Sequence, residues 1–218
     1  MKNIIKRFIP SIIQKYLKRK RIYYSLPENI REVIGSLDKN QVCIDCGANI
    51  GLITDLLSSY GCYVHSFEPN PYVYEILRKK FSSNQMISIY NSAVGIKDGE
   101  CKIYLHKKNA EDPIKYSEAS SLISEKSNIS KEDFVISKML NLGNFLRQFE
   151  NVKILKIDIE GYETTLIPWL IKNKFLDNVE YTFIETHDKI NSLKEETKMM
   201  KKIIDEYKLN DKIFYNWP

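Results

Sequence analysis

The chain is poor in the residues that interrupt or cross-link structure. Only 8 of its 218 residues are glycine and 7 are proline, which excludes collagen-like and linker-rich chains. No apolar run approaches the roughly 18 residues needed to cross a bilayer, and there is no internal repeat or low-complexity tract. Four cysteines are present. Cys43-Ile44-Asp45-Cys46 superficially invites a redox or zinc reading. In an extended strand, however, that spacing separates the two residues by roughly 10 Å, whereas a disulfide needs α-carbons within about 7 Å. Cys62 and Cys101 lie too far apart in sequence to make a second zinc knuckle. The expectation is four reduced structural thiols in a cytoplasmic protein. What is plentiful is core-forming material: 43% hydrophobic and 28% charged residues specify a globular domain.

Acidic residues are absent from the first 21 positions, which carry eight bases: Lys2, Lys6, Arg7, Lys15, Lys18, Arg19, Lys20 and Arg21. Taking those eight from 33 leaves 25 basic against 28 acidic residues elsewhere. The body therefore lacks the bulk electrostatic footprint of a nucleic-acid binder. Within the basic arm, Ile5, Phe8, Ile9, Ile12, Ile13, Tyr16 and Leu17 recur at helical spacing, with Pro10 expected to kink or restart the helix. Such a segment either packs on the domain with its lysines in water or lies on an anionic membrane surface. Its charges break any secretory h-region. The expected division is an arm over residues 1–26 and a domain over 27–218.

From Gln41 onward short β-rich runs alternate with helical segments. Strands are expected at Val42–Asp45, Tyr63–Phe67, Ile87–Ser92, Val152–Asp158 and Val179–Glu185. Helices are expected at Pro27–Leu37, Gly51–Tyr60, Pro71–Phe81, Leu142–Phe149, Thr164–Lys172 and Leu193–Tyr207. The alternation predicts a doubly wound α/β fold around a mostly parallel sheet. Residues 95–138 break the rhythm: the turn Lys97-Asp98-Gly99, the alternating run Cys101–His106 and the run Phe134–Ser137 predict an inserted hairpin and loop.

The strongest local motif, Asp45-Cys46-Gly47-Ala48-Asn49-Ile50-Gly51, sits where the first strand turns into a helix. Glycines there permit a tight turn and close approach of a ligand, and the free N–H groups of the helix start favour an anionic group. The second strand ends in Phe67-Glu68-Pro69-Asn70, and an acid about 20 residues past the turn can accept from both hydroxyls of a cofactor ribose. The G-x-x-x-G spacing does not fit a dinucleotide fingerprint, and no P-loop lysine follows. Asp45 suits an ammonium better than a pyrophosphate, so the pattern describes S-adenosylmethionine better than NAD.

A second cluster lies at the ends of the fourth and fifth strands. If the strand continues, Lys156, Asp158 and Glu160 share a side, as do Glu185 and His187. Adjacent parallel strands would bring Asp158 and Glu185 together in the crevice where open sheets bind ligands. Methyl transfer to a hydroxyl is an in-line displacement between atoms held about 3 Å apart, and it needs a proton acceptor. A carboxylate at its ordinary pKa of about 3.9 matches an alcohol poorly; an imidazole near 6.5 is somewhat better. Lys156 with Asp158 has a structural ion pair as its alternative reading. A metal on Asp158 and Glu185 would also acidify a hydroxyl, but no dense ligand motif supports one.

Taken together, the chain resembles the FkbM family of S-adenosylmethionine-dependent O-methyltransferases. The resemblance rests on Asp45–Gly51, Phe67-Glu68-Pro69-Asn70, Asn91-Ser92-Ala93-Val94-Gly95, Ser120-Ser121-Leu122, Lys156–Glu163 and Glu185-Thr186-His187, in that order. It implies a class I methyltransferase fold with a final antiparallel strand, for which Ile213–Tyr215 is the candidate. It further implies that Asp45, Gly47, Ala48, Asn49 and Gly51 surround the methionine portion, that Glu68 and Pro69 lie at the ribose, and that Asn70, Ser92, Ala93 and Val94 lie near the adenine. Asp158 becomes the first choice for base, with Glu185 and His187 beside it and Ser120, Ser121, Lys156 and Glu160 on the substrate side. The resemblance implies an acceptor among sugars or small natural products, and the cofactor loop, acidic crevice and basic arm together point to a hydroxyl of a sugar in a surface glycan or its precursor. The competing reading is a non-catalytic adaptor that works through residues 1–21. An RNA acceptor is disfavoured by the acidic body and by the absence of an Asn-Pro-Pro-aromatic motif.

Overall fold

Val42–Cys46 is buried at four of its five positions and has no polar outer face, as a strand covered on both sides requires. It forms β1, the centre of the architecture. The computed structural model describes residues 11–107, 129–188, 190 and 193–217. In chain order these form α1 (Ser11–Ser25), α2 (Glu28–Gly35), β1, α3 (Leu52–Ser58), β2 (Tyr63–Phe67), α4 (Pro71–Phe81), β3 (Ile87–Tyr90), β4 (Ser92–Gly95), β5 (Gly99–His106) and β6 (Ile129–Asn141). There follow α5 (Leu142–Leu146), β7 (Val152–Ile157), α6 (Glu163–Lys172), β8 (Val179–Glu185), α7 (Lys194–Glu206) and β9 (Ile213–Trp217).

Six strands build one sheet in the order β3-β2-β1-β7-β8-β9, and every neighbouring pair runs parallel. The chain winds outward from β1 to β3, then crosses back to β7 and winds to β9. The switch point lies between β1 and β7, where open sheets form a ligand crevice. The doubly wound expectation holds. The final antiparallel strand does not: β9 pairs parallel with β8, Thr182 opposite Ile213 and Glu185 opposite Trp217, because α7 carries the chain back across the sheet before β9 begins.

The two faces are packed differently. Ile44, Leu155, Ile157 and Ile184 meet α5, α6 and α7 through Leu142, Leu166, Leu170 and Ile204. Cys43, Val64, Ile154 and Phe183 meet α2 and α3 through Ile30, Ile34, Leu56 and Leu57. Strand alternation puts Asp45, Ser66, Lys156 and Glu185 on this second face. Asp45 stands beside Ser66 on one side and Lys156 on the other.

The insertion is a second sheet, β4-β6-β5, with β6 antiparallel to β5 and parallel to β4. It corrects one boundary. The run expected as a single strand through Ser92 ends at Tyr90, and Ser92–Gly95 leaves for the second sheet. Asn91 makes the break by donating its side-chain N–H to the carbonyls of Glu68 and Pro69 (2.9 and 3.3 Å). All four cysteines are free.

Candidate active site

The loop after β1 is fixed from several sides. Gly47 has φ 78°, and a β-carbon there would fall 1.8 Å from the backbone oxygen of Asp158, so the loop crosses the end of β7 at a distance only glycine allows. Gly51 has φ 72°, and a β-carbon there would strike Leu77 and Phe81. The N–H groups of Gly47 and Ala48 both donate to Phe67 O. Asn49 N–H donates to Glu68 Oε2 (2.9 Å) and Asn70 N–H to Glu68 Oε1 (2.8 Å). Burial raises Glu68 to about pH 7, against the lowering effect of these two donors. Lysines capture the loop carbonyls: Lys156 Nζ donates to Gly47 O (2.9 Å), and Lys80 Nζ to Ile50 O and Gly51 O (2.7 Å each).

Over this loop and the carboxyl ends of β2, β7 and β8 lies a cavity of about 450 Å³, within the usual range for small-molecule sites. Of the residues expected at a site, Gly47, Ala48, Asn49, Glu68, Pro69, Ser92, Ala93, Val94, Lys156, Asp158, Glu160 and Glu185 line it. Ser92 Oγ is buried with no hydrogen-bond partner among the described residues.

Four expected residues stand behind the wall instead. Asp45 is fully buried beneath the loop, accepting from Thr54 Oγ1 (2.7 Å) and lying 3.3 Å from Lys156 Nζ, so its charge is already matched and does not face the cavity. Gly51 serves packing against α4. Asn70 caps α4, accepting from Tyr72 N–H. His187 sits behind Glu160. Ser120 and Ser121 lie outside the described residues.

The acidic cluster has a clear charge order. Lys156 is buried and lies 3.3 Å from both Asp45 and Asp158; burial would lower its pKa, but the two carboxylates hold it well above the usual lysine value. It is thus a structural cation tying β1 to β7. β7 stops at Ile157, so the expected alternation ends there: Glu160 turns into the left-handed region (φ 61°) and reaches the cavity from a loop. That loop is latched by buried Glu163, which accepts from Ile159 N–H (2.6 Å) and Gly161 N–H (2.7 Å). Burial, and then the neighbouring charge of Asp158, raises Glu185 to about pH 7, with His187 opposing. His187 lies 3.4 Å from Glu160 and 3.6 Å from Glu163. Burial alone would lower it, but hydrogen bonds and charge from these two acids raise it to about 10. The two acids favour its protonated form, which suits a proton acceptor less well than a free imidazole. Asp158, Glu185 and His187 each offer one ligand atom, all within 4.8 Å of one another, a set that can hold a metal ion.

Trp217, Ile103, Ile53 and Ile159 also line the cavity and were not expected there. Trp217 arrives because β9 runs parallel to β8 and a register shift after Phe183 sets it opposite Glu185. Ile103 arrives because β5 folds back over the site. Neither carries a local signal, since both look like ordinary core residues in sequence.

No curated protein matches the chain significantly. Among solved structures, a candidate rRNA-methylase from Clostridium thermocellum is 10% identical, with 78% of this chain and 75% of that chain covered and a TM-score of 0.41. Aeropyrum pernix fibrillarin with natively bound S-adenosyl-L-methionine is 11% identical, with 76% of this chain and 57% of that one covered and a TM-score of 0.39. Neither likeness is strong enough to say what this chain acts on. The family described as the methyltransferase FkbM domain matches residues 45–209, from the glycine loop to the segment before β9. The chain belongs to the FkbM methyltransferase family, and S-adenosylmethionine is the typical cofactor of such enzymes.

Proposed function

We propose that the protein transfers the methyl group of S-adenosylmethionine to a hydroxyl of a sugar, in a surface glycan or its precursor. The observation that carries this reading is the edge of Asp158, Glu160 and Glu185 along the cavity, beside the fixed glycine loop. Carboxylates accept hydrogen bonds from hydroxyls and repel phosphodiesters, so this edge suits a neutral, hydroxyl-rich acceptor better than a nucleic acid.

The residues present fit the cofactor. Glu68 stands at the ribose position with lone pairs left on both oxygens, and the orphaned Ser92 Oγ has a partner to gain at the adenine position. When bound, the cofactor supplies an electrophilic methyl carbon on a cationic sulfonium. The loop, held by Lys80 and Lys156, orients the methionine portion; the cavity's acidic edge favours the positive charge. Glu185 takes the proton from the acceptor hydroxyl as that oxygen is alkylated, and Asp158 sets the basicity of Glu185 while remaining anchored to Lys156. The test is transfer of labelled methyl from the cofactor to a panel of free and lipid-linked sugars. Label on a sugar oxygen, lost in Glu185→Gln, is the expected result. Label on nitrogen, or only on RNA, would overturn the reading.

A further inference from the structure

Among the described residues, helix α1 is held to the domain chiefly through the face of Lys15, Arg19 and Tyr23, with Tyr24 also beside Arg31 of α2. Arg19 donates from Nε and Nη2 to the two oxygens of Asp55 on α3 (2.7 and 2.9 Å), and Lys15 lies 3.3 Å from the same carboxylate. Tyr23, one turn on, is half-buried on this face and Leu26 is buried just past the helix. At 100° per residue, Ile13, Leu17, Lys20 and Tyr24 project from the opposite face, with Tyr16 at its border. Ile13 is 45% exposed, Leu17 48%, and Tyr16 and Tyr24 60% each. Lys18 and Arg21 are exposed along the adjoining flank. A helix packed on a domain normally turns polar residues of both signs to water. Here the outward face is an apolar row with cations beside it, and the first 21 residues contain no acid to balance them.

We propose that this face of α1 seats the protein on an anionic lipid surface. The apolar row enters the headgroup boundary while Lys18, Lys20 and Arg21 meet lipid phosphates, which is the division of labour of an interfacial helix. Charge complementarity selects the occupant. Cations alone would serve a nucleic acid, but a phosphate backbone has no use for an exposed row of Ile13, Leu17 and two tyrosines. No helix among the described residues is long and apolar enough to cross a membrane, so the contact is with the surface. Because α1 rests on α3, which starts at the glycine loop, the seated helix would hold the cavity at a fixed distance from the bilayer. The surface stands independently of the acceptor proposed above.

The experiment is co-sedimentation of the full chain with vesicles of phosphatidylcholine alone, or with one third phosphatidylglycerol. Binding to the anionic vesicles only is expected. The variant Lys18→Gln/Lys20→Gln/Arg21→Gln leaves the Asp55 contacts intact. At about five-fold per basic residue it should weaken binding about 100-fold. The variant Ile13→Ser/Leu17→Ser should weaken it by at least about ten-fold through lost apolar burial. Calorimetric binding of S-adenosylhomocysteine, unchanged in both variants, reports an intact fold. Equal partitioning onto both vesicle types, no binding by the parent chain, or undiminished binding by either variant would overturn the proposal. So would tighter binding to an RNA duplex that is insensitive to the Ile13/Leu17 change, which would assign the face to nucleic acid.

Discussion

Glu185 and His187 stand two residues apart at one strand end, yet their neighbours give them opposite tasks. The carboxyl of Glu185, raised to about 7 by burial and by Asp158, is half deprotonated at neutral pH and well matched as a general base. Burial would lower the imidazole of His187, but Glu160 and Glu163 push it up to about 10, which favours its protonated form. The rate of methyl transfer should therefore fall as pH drops through about 7, where Glu185 takes up its proton. Glu185→Gln should lower kcat by about 10²–10⁴-fold with little change in KM and should erase that limb. Asp158→Asn removes a charge that disfavours ionised Glu185, so a pH–rate profile should show the limb displaced towards acid. Gly47 sets a different kind of limit. In Gly47→Ala the left-handed backbone costs about 1–2 kcal/mol, and the new methyl meets the carbonyl of Asp158 head-on. Thermal unfolding should drop, and calorimetric binding of S-adenosylhomocysteine should be lost.

At the scale of elements, α1 and α3 form the most testable joint. Burial would raise Asp55, but hydrogen bonds and charge from Arg19 and Lys15 outweigh it and hold it below the usual carboxylate value. A depressed acid contributes stability that is present above its unfolded pKa of about 4 and lost as pH falls through its folded pKa. Limited proteolysis within α1 should therefore accelerate below about pH 4, and Asp55→Asn should show the accelerated cleavage already at pH 7 and abolish the change. Much of the element pattern was legible in sequence. Tyr63–Phe67, Pro71–Phe81 and Val179–Glu185 form at the bounds expected for them. The misses have physical causes. Alternation marks a strand but not the sheet it joins, so nothing local in Ser92–Gly95 shows that Asn91 diverts it. The direction of β9 was assigned by resemblance, and periodicity within a short strand carries no direction. Lys156, Asp158 and Glu160 alternate in sequence as a strand would, but the latch of Glu163 on Ile159 and Gly161 ends the strand between them.

At the scale of the molecule, the site is a convergence that no segment contains. Residues 47–49, 68–69, 92–94, 158–160, 185 and 217 meet because parallel strands end at one edge and the winding reverses between β1 and β7. Local motifs identified the glycine loop and Glu68, whereas Trp217 and Ile103 required the register of β8 with β9 and the fold-back of β5. A ligand that touches so many separate elements must stabilise the whole sheet rather than one loop, since unfolding any contributing strand releases it. At 100 times its dissociation constant a ligand adds about 2.7 kcal/mol, and a domain of this size gains about 2–4 °C per kcal/mol. S-adenosylhomocysteine should therefore raise the melting temperature by about 5–10 °C at that excess, while NAD should leave it unchanged. Glu68→Gln should shrink the shift, because the ribose hydroxyls lose a charged acceptor while the loop keeps its glycine geometry. An equal shift with NAD would mean that the cavity reads only a shared adenosine, and the roles given to the glycine loop and the acidic edge would have to be withdrawn.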